Sequence, residues 1–493
     1  MFCAKNNKTI LWQNLKTGKK GCNKLQIYNT LSRKKENLVT LVPGEVKIYA
    51  CGPTVYNYIH IGNARPMCVF DVLRRYLEYR GYKVSFMQNF TDIDDKIINK
   101  ANETGTTFKT VSEKFIEEYK IDARGLNIKE PTYQPKATEN IDQIIKIVSG
   151  LIEKGFAYEN NGDVFFRVKR FKDYGALSHM PMQDLEMGVR IEVNSQKEDP
   201  LDFVLWKAAK ANEPYWESPW GKGRPGWHIE CTAMINKVYG STIDIHCGGQ
   251  DLIFPHHENE IAQSVCYTCK DYVHYWMHNG YINVDNKKMS KSLGNFFTVR
   301  DVAEKFGYEA IRFMMLQVHY RSPINYSYDI MKQCVSALER IKNCQNSLNK
   351  ALVKKADNEI EFSQSEEEKL LKFKQNFIGA MDDDLNTADA ITAIFELVTE
   401  INTSIVNKSK ISKRYLTLAS KIFNELTSVL GILYQNEDSD ENVDEEIKEL
   451  VAQRQQARKN RDYVQADKLR NEILARGYIL EDTSDGVVIK RQN

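Results

Sequence analysis

The sequence predicts an α/β protein that contains a parallel sheet, followed by a helical bundle and a small C-terminal α+β domain. The first observation is a strand–helix–strand unit, in which residues 46–50 and 83–87 have strand patterns and residues 69–77 carry apolar side chains at helical spacing. The second is helical periodicity from about residue 311 to residue 433. The third is a tail in which Asp485-Gly486 separates two apolar segments, a pattern typical of a hairpin.

Taken in order, the chain begins with residues 1–23, which are rich in Lys and Asn and show no sustained period, so we predict a loosely tied extension. The first strand ends at Cys51-Gly52-Pro53-Thr54, and Gly81 is a suitable stop for the helix that follows. Ligands of parallel sheets bind at the carboxyl ends of the strands. We therefore expect a ligand site around Cys51.

Composition limits the class of protein. No apolar run approaches the roughly 20 residues that span a bilayer, and Met1 is not followed by a signal-peptide core, so we expect a soluble, cytoplasmic protein without a membrane partner. A net charge of +2 excludes a strongly basic nucleic-acid coat but allows a local basic face. The ten cysteines are scattered, which favours free thiols, core residues or metal ligands over a disulfide framework.

One stretch, DLIFPHHENEIAQS, carries two candidate metal ligands. Pro255 can open a helix, and His256 and Glu260 stand four residues apart, which is one face of a helix. An imidazole and a carboxylate at this spacing can share a divalent cation, and Cys51 and Cys231 are the candidates to complete the shell. A solvated face or a local hydrogen bond is the alternative interpretation of the pair alone.

Two further motifs suit phosphate. At the start of the first helix, free N–H groups favour an anion, Gly62 allows the backbone to approach it, and His60 can hydrogen-bond to it, with Asn63 beside them. More than 200 residues later, a loop with Lys288 and Lys291 can neutralise charge on the α- and β-phosphates as pyrophosphate leaves. Alone, the first motif is also consistent with a cap or a core His, and the second with a basic turn.

In combination, His-Ile-Gly and Lys-Met-Ser-Lys-Ser resemble the two nucleotide signatures of class I aminoacyl-tRNA synthetases. The resemblance is closest to the cysteinyl-tRNA synthetase family and runs from about Leu25 to the C-terminus. The motifs that carry it are YACGPTVY from Tyr49, NFTDIDDK from Asn89, GWHIEC from Gly226, and DIHCGGQD from Asp244 leading into FPHHENE. Asn63 departs from the usual second His, and Cys247 departs from an expected Gly; the Asn keeps a donor but cannot carry charge.

The resemblance implies ATP-dependent attachment of L-cysteine to tRNA(Cys) through a cysteinyl-adenylate, by a monomer. It implies one Zn²⁺ per chain, held by Cys51, Cys231, His256 and Glu260, and Mg²⁺ with ATP. Its catalytic groups would be His60, Lys288 and Lys291. Its ATP contacts would be His60, Gly62, Asn63, Gly248, Gly249, Asp251, Lys288 and Lys291. Its cysteine contacts would be Cys51, Thr91, Trp227 and His246.

The chemistry of thiols explains why a cysteine-binding site would contain zinc. A free thiol has a pKa near 8.5, but metal coordination deprotonates it, so a substrate thiolate can bind where a serine hydroxyl binds poorly. Four protein ligands usually describe a closed structural zinc, so the substrate must add a fifth ligand or displace one. Cys247 stays open as a rival ligand, whereas Cys266 and Cys269 are interpreted as packing or surface thiols.

The implied domains follow the composition. Residues 437 to 446 carry seven acidic side chains, and the segment after them has a basic bias at Arg454, Arg458, Lys459, Arg461, Lys468 and Arg470. The expected organisation is an extension (1–23), a Rossmann-like catalytic domain (24–114 and 227–310), a connective insertion domain (115–226), a helical stem and anticodon-binding bundle (311–435), an acidic linker (436–446) and a small C-terminal domain (447–493). A ligase that joins cysteine to another small amine and a non-catalytic RNA-binding paralogue remain alternatives.

Overall fold

The computed structural model describes residues 24–181, 196–288, 296–434, 445–483 and 486–491. The chain divides into two compact units, residues 1–433 and residues 434–493. Among the described residues, no helix combines the length and the apolar character that crossing a membrane requires. The predicted extension, residues 1–23, lies outside the described residues.

The larger unit opens with a hairpin and the predicted strand–helix–strand unit. Its first elements are β1 (Gln26–Asn29), β2 (Lys34–Asn37), β3 (Glu45–Ala50), α1 (Ile61–Tyr79), β4 (Lys83–Gln88), α2 (Asp95–Thr104) and α3 (Phe108–Gly125). Strands β3 and β4 are parallel, with Ile48 opposite Phe86, and α1 is the crossover between them. Gly81, with a φ of 88°, ends the turn after α1 as predicted.

The insertion has its own small sheet and core. It contains α4 (Ile141–Glu153), β5 (Ala157–Asn160), β6 (Asp163–Phe166), β7 (Phe203–Ala208) and β8 (Gly223–Pro225), with the strands antiparallel in that order. Trp206 is fully buried in this core, and Trp216 and Trp220 pack against it, so the three tryptophans are structural. The boundary predicted at 114/115 falls inside α3, whose Phe115 and Tyr119 pack in the apolar core formed by β3, β4 and α1 rather than in the core of the insertion. The insertion is therefore better begun after α3.

The central sheet is completed after the insertion. The elements are α5 (Trp227–Tyr239), β9 (Ile243–Gly249), α6 (Glu258–Thr268), β10 (Val273–Asn279), β11 (Ile282–Val284) and β12 (Lys287–Lys288). The sheet order is β10-β9-β3-β4, and every pairing in it is parallel. The predicted parallel-sheet class is confirmed, and the ends of β3, β9 and β10 lie side by side.

Helices dominate the rest of the larger unit. They and their short strands are α7 (Val299–Phe306), α8 (Tyr308–Leu316), β13 (Ile324–Tyr326), α9 (Tyr328–Lys354), β14 (Ala356–Asp357), α10 (Gln364–Asp382), α11 (Thr387–Asn407), β15 (Ile411–Ser412) and α12 (Lys413–Leu430). The bundle α9–α12 shares one continuous apolar core with the sheet and α1. Arg312, fully buried, joins them by bonding Asp71 of α1 at 2.5 Å and the Leu430 carbonyl at 2.8 Å.

The smaller unit is a helix pair and a hairpin, whereas the sequence predicts one helical segment before the hairpin. It contains α13 (Glu445–Lys459), α14 (Tyr463–Ala475), β16 (Tyr478–Thr483) and β17 (Gly486–Arg491), with the two strands antiparallel. Of the residues with the predicted basic bias, Arg454 is buried and the others are exposed. Residues 435–444 of the linker region lie outside the described residues, and α13 already begins at Glu445.

Candidate active site and metal centre

The candidate site lies at the carboxyl ends of the parallel strands. Cys51 follows β3 directly, and its backbone N–H donates to the Cys247 carbonyl at the end of β9 at 3.4 Å. Gly52 is required next to it: a Cβ there would stand 1.6 Å from the Asn89 backbone oxygen. The Gly52 N–H donates to the Asn89 side chain at 2.8 Å. This close approach holds Cys51 at the mouth of the sheet.

Four donors meet at this point from separate parts of the chain. One potential ligand atom from each of Cys51, Cys231, His256 and Glu260 lies within 4.8 Å of all the others. His256 Nε2 stands 3.1 Å from Glu260 Oε1 and 3.6 Å from Cys231 Sγ, and Cys51 Sγ stands 3.7 Å from Glu260 Oε1. Cys51 is half-buried and the other three are buried. The sequence-predicted set therefore forms one cluster that can hold a metal ion.

The local backbone differs from the prediction in one respect. Pro255 does not open the helix, because residues 253–257 form a separate wide turn and α6 begins at Glu258. His257 and Glu258 nevertheless have helical dihedral angles. The spacing of four residues therefore still places His256 and Glu260 together.

A second set of four donors shares two members with the first. Cys51, His246, His257 and Glu260 also have ligand atoms within 4.8 Å of one another. Glu260 takes part in both because its oxygens face different ways: Oε1 faces His256 and Cys51, whereas Oε2 contacts His246 Nε2 at 3.1 Å. Oε2 also accepts a hydrogen bond of 2.7 Å from the hydroxyl of Tyr272. Geometry alone therefore permits two ways to hold one ion.

The charge states of the cluster follow from these contacts. The hydrogen bond from Cys51 lowers the pKa of Cys231 to about 6, whereas burial raises the pKa of Cys51 well above its ordinary value. Burial alone would lower the pKa of His256, but its bonds to Cys231 and Glu260 outweigh burial and raise that pKa to about 10. Burial acts to raise the pKa of Glu260, yet His246 and His256 hold it well below the usual range. Without a metal, the cluster thus retains protons that a cation would displace.

Histidines surround the cluster to an extent that the sequence did not predict. His228 Nδ1 and His256 Nδ1 are 2.9 Å apart, and His257 Nδ1 and His278 Nε2 are 2.8 Å apart. Only their positions in the sequence could have indicated two of these histidines: His228 lies within the GWHIEC motif, and His257 follows His256 directly. Nothing in the local sequence pointed to His278 or Tyr272.

The predicted cysteine contacts surround the cluster at different depths. Trp227 is 43% exposed and stacks on the His256 ring, with centroids 4.5 Å apart. Thr91 is buried and donates to Glu230 Oε2 at 2.9 Å. His246 is fully buried against Trp276, with ring centroids 4.6 Å apart. Burial raises the pKa of Glu230 well above its ordinary value, and the sequence did not single this residue out.

The segment that follows the second nucleotide motif is bonded to the start of α1, where the first motif lies. The Ile61 N–H donates to the Phe297 carbonyl at 3.1 Å, and the Val299 N–H donates to the Ile59 carbonyl at 2.9 Å. Residues 289–295, which include Lys291, lie outside the described residues, but the segment that follows them is thus bonded to both sides of His60. Lys288 ends β12, whose partner is β11.

Asn63 has a definite structural role. Its side-chain Oδ1 accepts a hydrogen bond of 3.1 Å from the backbone N–H of His60, which closes the first turn of α1. The sequence interpretation stressed that Asn retains a donor, whereas the structure uses it as an acceptor. The substitution is therefore compatible with an ordered helix start.

The glycines after β9 are confined by their neighbours. A Cβ at Gly248 would stand 2.7 Å from His257 Cε1, and a Cβ at Gly249 would stand 2.3 Å from Asp251 Oδ1. Asp251 itself is exposed. Within the described ranges, the rival cysteines belong to neither donor set; Cys247 and Cys266 are buried, and Cys269 is exposed.

Family models and relatives agree with this architecture. Residues 37–336 match the class I (C) tRNA synthetase catalytic domain, residues 376–435 match the DALR domain, and residues 440–489 match the cysteinyl-tRNA ligase anticodon-binding domain. The cysteine–tRNA ligase of Caldicellulosiruptor saccharolyticus is 52% identical over 467 residues, which is 95% of this chain and 100% of that protein. The cysteine–tRNA ligase of Brevibacillus brevis is 51% identical over 469 residues, again 95% and 100%.

Solved structures share the fold at low identity. The methionyl-tRNA synthetase of Mycobacterium tuberculosis in complex with methionyl-adenylate has a TM-score of 0.58 at 15% identity and covers 78% of this chain and 89% of its own. A LeuRS–tRNA–LeuAMS ternary complex from Agrobacterium radiobacter has a TM-score of 0.57 at 13% identity and covers 80% and 86%. The parallel sheet, its insertion and the helices after it have the fold of a class I aminoacyl-tRNA synthetase. Within that class, the chain belongs to the cysteine–tRNA ligase family and is an enzyme of that family.

Proposed function

We propose that this enzyme activates L-cysteine with ATP as cysteinyl-adenylate and transfers the cysteinyl group to tRNA(Cys), acting as a monomer with a zinc ion in the cysteine pocket. One observation carries the proposal: a cluster of two thiols, an imidazole and a carboxylate lies at the carboxyl ends of the strands that also lead to the helix start with His60. Such a position unites a thiol-selective centre with a phosphate site.

The residues of the cluster fit zinc. Cysteine sulfur, histidine nitrogen and a carboxylate oxygen are the donor types that zinc takes in proteins, and partners behind them hold the ligands in place. His228 bonds the far nitrogen of His256, and Tyr272 bonds the far oxygen of Glu260. When bound, zinc would keep the substrate thiol deprotonated and favour its sulfur over a serine hydroxyl. The donor types and these partners support Cys51, Cys231, His256 and Glu260 as the zinc ligands.

The pocket side chains would orient the amino acid. Trp227, exposed and stacked on His256, offers a wall for a small side chain. Thr91 and the Glu230 carboxyl that it bonds offer polar contacts toward an ammonium group. His246, beneath the cluster, fixes Glu260. A pocket of this kind would bind the side chain and the ammonium group of cysteine and leave its carboxylate accessible for the reaction.

Activation would be in-line attack of the cysteine carboxylate on the α-phosphate of ATP, with Mg²⁺ accompanying the nucleotide. The start of α1, with His60, Gly62 and Asn63, would bind phosphate oxygens, and Lys288 and Lys291 would stabilise departing pyrophosphate. The turn containing Gly248, Gly249 and Asp251 would receive adenosine. A terminal ribose hydroxyl of the tRNA would then attack the carbonyl of the cysteinyl-adenylate and release AMP, so no side chain needs to act as a covalent nucleophile.

Two assays test this function. The enzyme should catalyse ATP–pyrophosphate exchange with cysteine and not with serine, and it should charge a tRNA(Cys) transcript. Exchange without charging would favour a ligase that joins cysteine to another small amine, and absence of both would refute the proposal. In the cobalt-substituted enzyme, cysteine should change the cobalt–thiolate absorption; an unchanged spectrum would refute direct binding of the substrate sulfur.

A further inference from the structure

A continuous chain of hydrogen bonds leads from the N-terminal hairpin to the Cys51 sulfur. The hydroxyl of Thr30 stands 2.7 Å from His278 Nδ1. His278 Nε2 stands 2.8 Å from His257 Nδ1, and His257 Nε2 stands 3.3 Å from Cys51 Sγ. The four residues come from the turn after β1, the end of β10, the turn before α6 and the end of β3.

Two backbone contacts anchor the Thr30 end of this hydrogen-bond chain. The Thr30 backbone N–H donates to the Trp276 carbonyl at 2.9 Å, and the Thr30 carbonyl contacts His179 Nε2 at 3.1 Å. His257 and His278 are buried, so each ring nitrogen meets protein rather than bulk water. Thr30 itself precedes residue 37, where the match to the family's catalytic domain begins.

If Cys51 is a thiolate and His257 is a neutral imidazole, the donor and the acceptor of every hydrogen bond in this chain are fixed. A thiolate sulfur can only accept, so His257 Nε2 must carry the proton. A neutral His257 then accepts at Nδ1 from His278 Nε2–H, and His278 accepts at Nδ1 from the Thr30 hydroxyl.

The donor at the end of this chain has an electrostatic consequence. Two thiolates and one carboxylate carry three negative charges around a divalent ion, so a further thiolate from the substrate meets repulsion. A hydrogen bond to a ligand sulfur withdraws charge from it and weakens its donation to the metal. The centre then accepts another sulfur more readily.

We propose that Thr30, His278 and His257 act as positioning residues, aiming an N–H donor at Cys51 and so setting how readily the metal centre accepts the cysteine thiolate. The proposal rests on the proposed function, because it takes Cys51 as a metal ligand and His257 as its hydrogen-bond partner. It assigns a role in cysteine recognition to a hairpin residue that lies outside the catalytic-domain match.

Three variants of the full-length enzyme test the chain. Thr30→Val removes the hydroxyl at nearly constant shape, Thr30→Ser keeps it as the matched control, and His278→Phe removes the bond to His257. In the cobalt-substituted enzyme, Thr30→Val and His278→Phe should move the thiolate-to-cobalt charge-transfer band to lower energy. Both should raise KM for cysteine roughly fivefold, as for the loss of one hydrogen bond, with kcat nearly unchanged. Thr30→Ser should match the wild type.

The double variant separates a chain from two independent effects. Because Thr30 acts only through His278, adding Thr30→Val to His278→Phe should change neither the band nor KM further, whereas independent effects would add. Unchanged spectra in both single variants would overturn the proposal, as would loss of metal from His257→Gln, which would make His257 a ligand. Wild-type enzyme without a thiolate–cobalt band would instead refute the zinc site itself.

Discussion

The hydroxyl of Tyr272 donates a hydrogen bond of 2.7 Å to Glu260 Oε2, whereas the other carboxylate oxygen, Oε1, contacts Cys51 and His256. Both side chains are buried. The bond leaves Oε1 directed at Cys51 and His256, so a tyrosine directly before β10 orients a candidate metal ligand.

Tyr272→Phe should therefore weaken zinc binding about tenfold to 100-fold, the usual effect of losing a partner that holds a ligand. Competition against a chromophoric chelator measures this. Tyr275→Phe is the control, because the Tyr275 hydroxyl bonds the backbone around Val39 instead. Equal zinc affinity in Tyr272→Phe and wild type would contradict the role of the bond.

The two overlapping donor sets make opposite predictions for single ligand changes. Cys231→Ser should lose most of its zinc if Cys231 and His256 complete the shell, whereas His257→Gln should retain it. Metal analysis of the two purified variants decides between the sets. Zinc retained in Cys231→Ser and lost from His257→Gln would assign the ion to Cys51, His246, His257 and Glu260.

Zinc affinity should rise steeply with pH. At neutral pH, His256, with a pKa of about 10, and Cys51, with a raised pKa, both hold protons, whereas Cys231, with a pKa of about 6, is already ionised. Zinc must displace those two protons, so affinity should rise about 100-fold per pH unit between about pH 7 and 9. Titration calorimetry in buffers of different ionisation enthalpy should count two released protons; zero would contradict the assigned charge states.

Arg312 should be essential to the stability of the larger unit. Arg312→Met removes a positive partner of the buried Asp71 carboxylate and the hydrogen-bond donor of several main-chain carbonyls. We therefore expect the free energy of unfolding to fall by about 3 kcal/mol. Urea unfolding followed by tryptophan fluorescence measures it. Lys410→Met, which breaks an exposed pair with Asp357, should leave the transition nearly unchanged. Similar losses in the two variants would refute the special role of the buried arginine.

Lys291→Ala should reduce cysteine-dependent pyrophosphate exchange severely while leaving the thermal transition unchanged, because its charge is needed only as pyrophosphate departs. Lys270 is an exposed lysine in the turn between α6 and β10 and belongs to neither nucleotide motif, so Lys270→Ala serves as the control. Near-normal exchange in Lys291→Ala would remove this lysine from the mechanism.

Local patterns were sufficient for much of the fold. The alternation around Ile48, the helical repeat through Leu73 and the Gly81 stop each reflect contacts within a few residues, and the corresponding elements formed. The predicted boundary inside α3 was wrong because the correct boundary depends on long-range packing and not on local contacts. A helix rich in Glu and Lys on one face reads as an insertion, and only packing shows that Phe115 and Tyr119 join the main core.

The chemistry of the ligands could also be inferred from the chain, because thiol, imidazole and carboxylate groups reveal their metal preference wherever they stand. Their arrangement could not, since it depends on the register of β3 beside β9 and on which oxygen of Glu260 faces which neighbour. Thr30 and His278 are separated by 248 positions and meet only because the hairpin lies along β10. Hydrogen-bond directions and neighbouring charges arise from such long-range contacts, so residue types define what the centre can bind, and tertiary packing determines how selectively it does so.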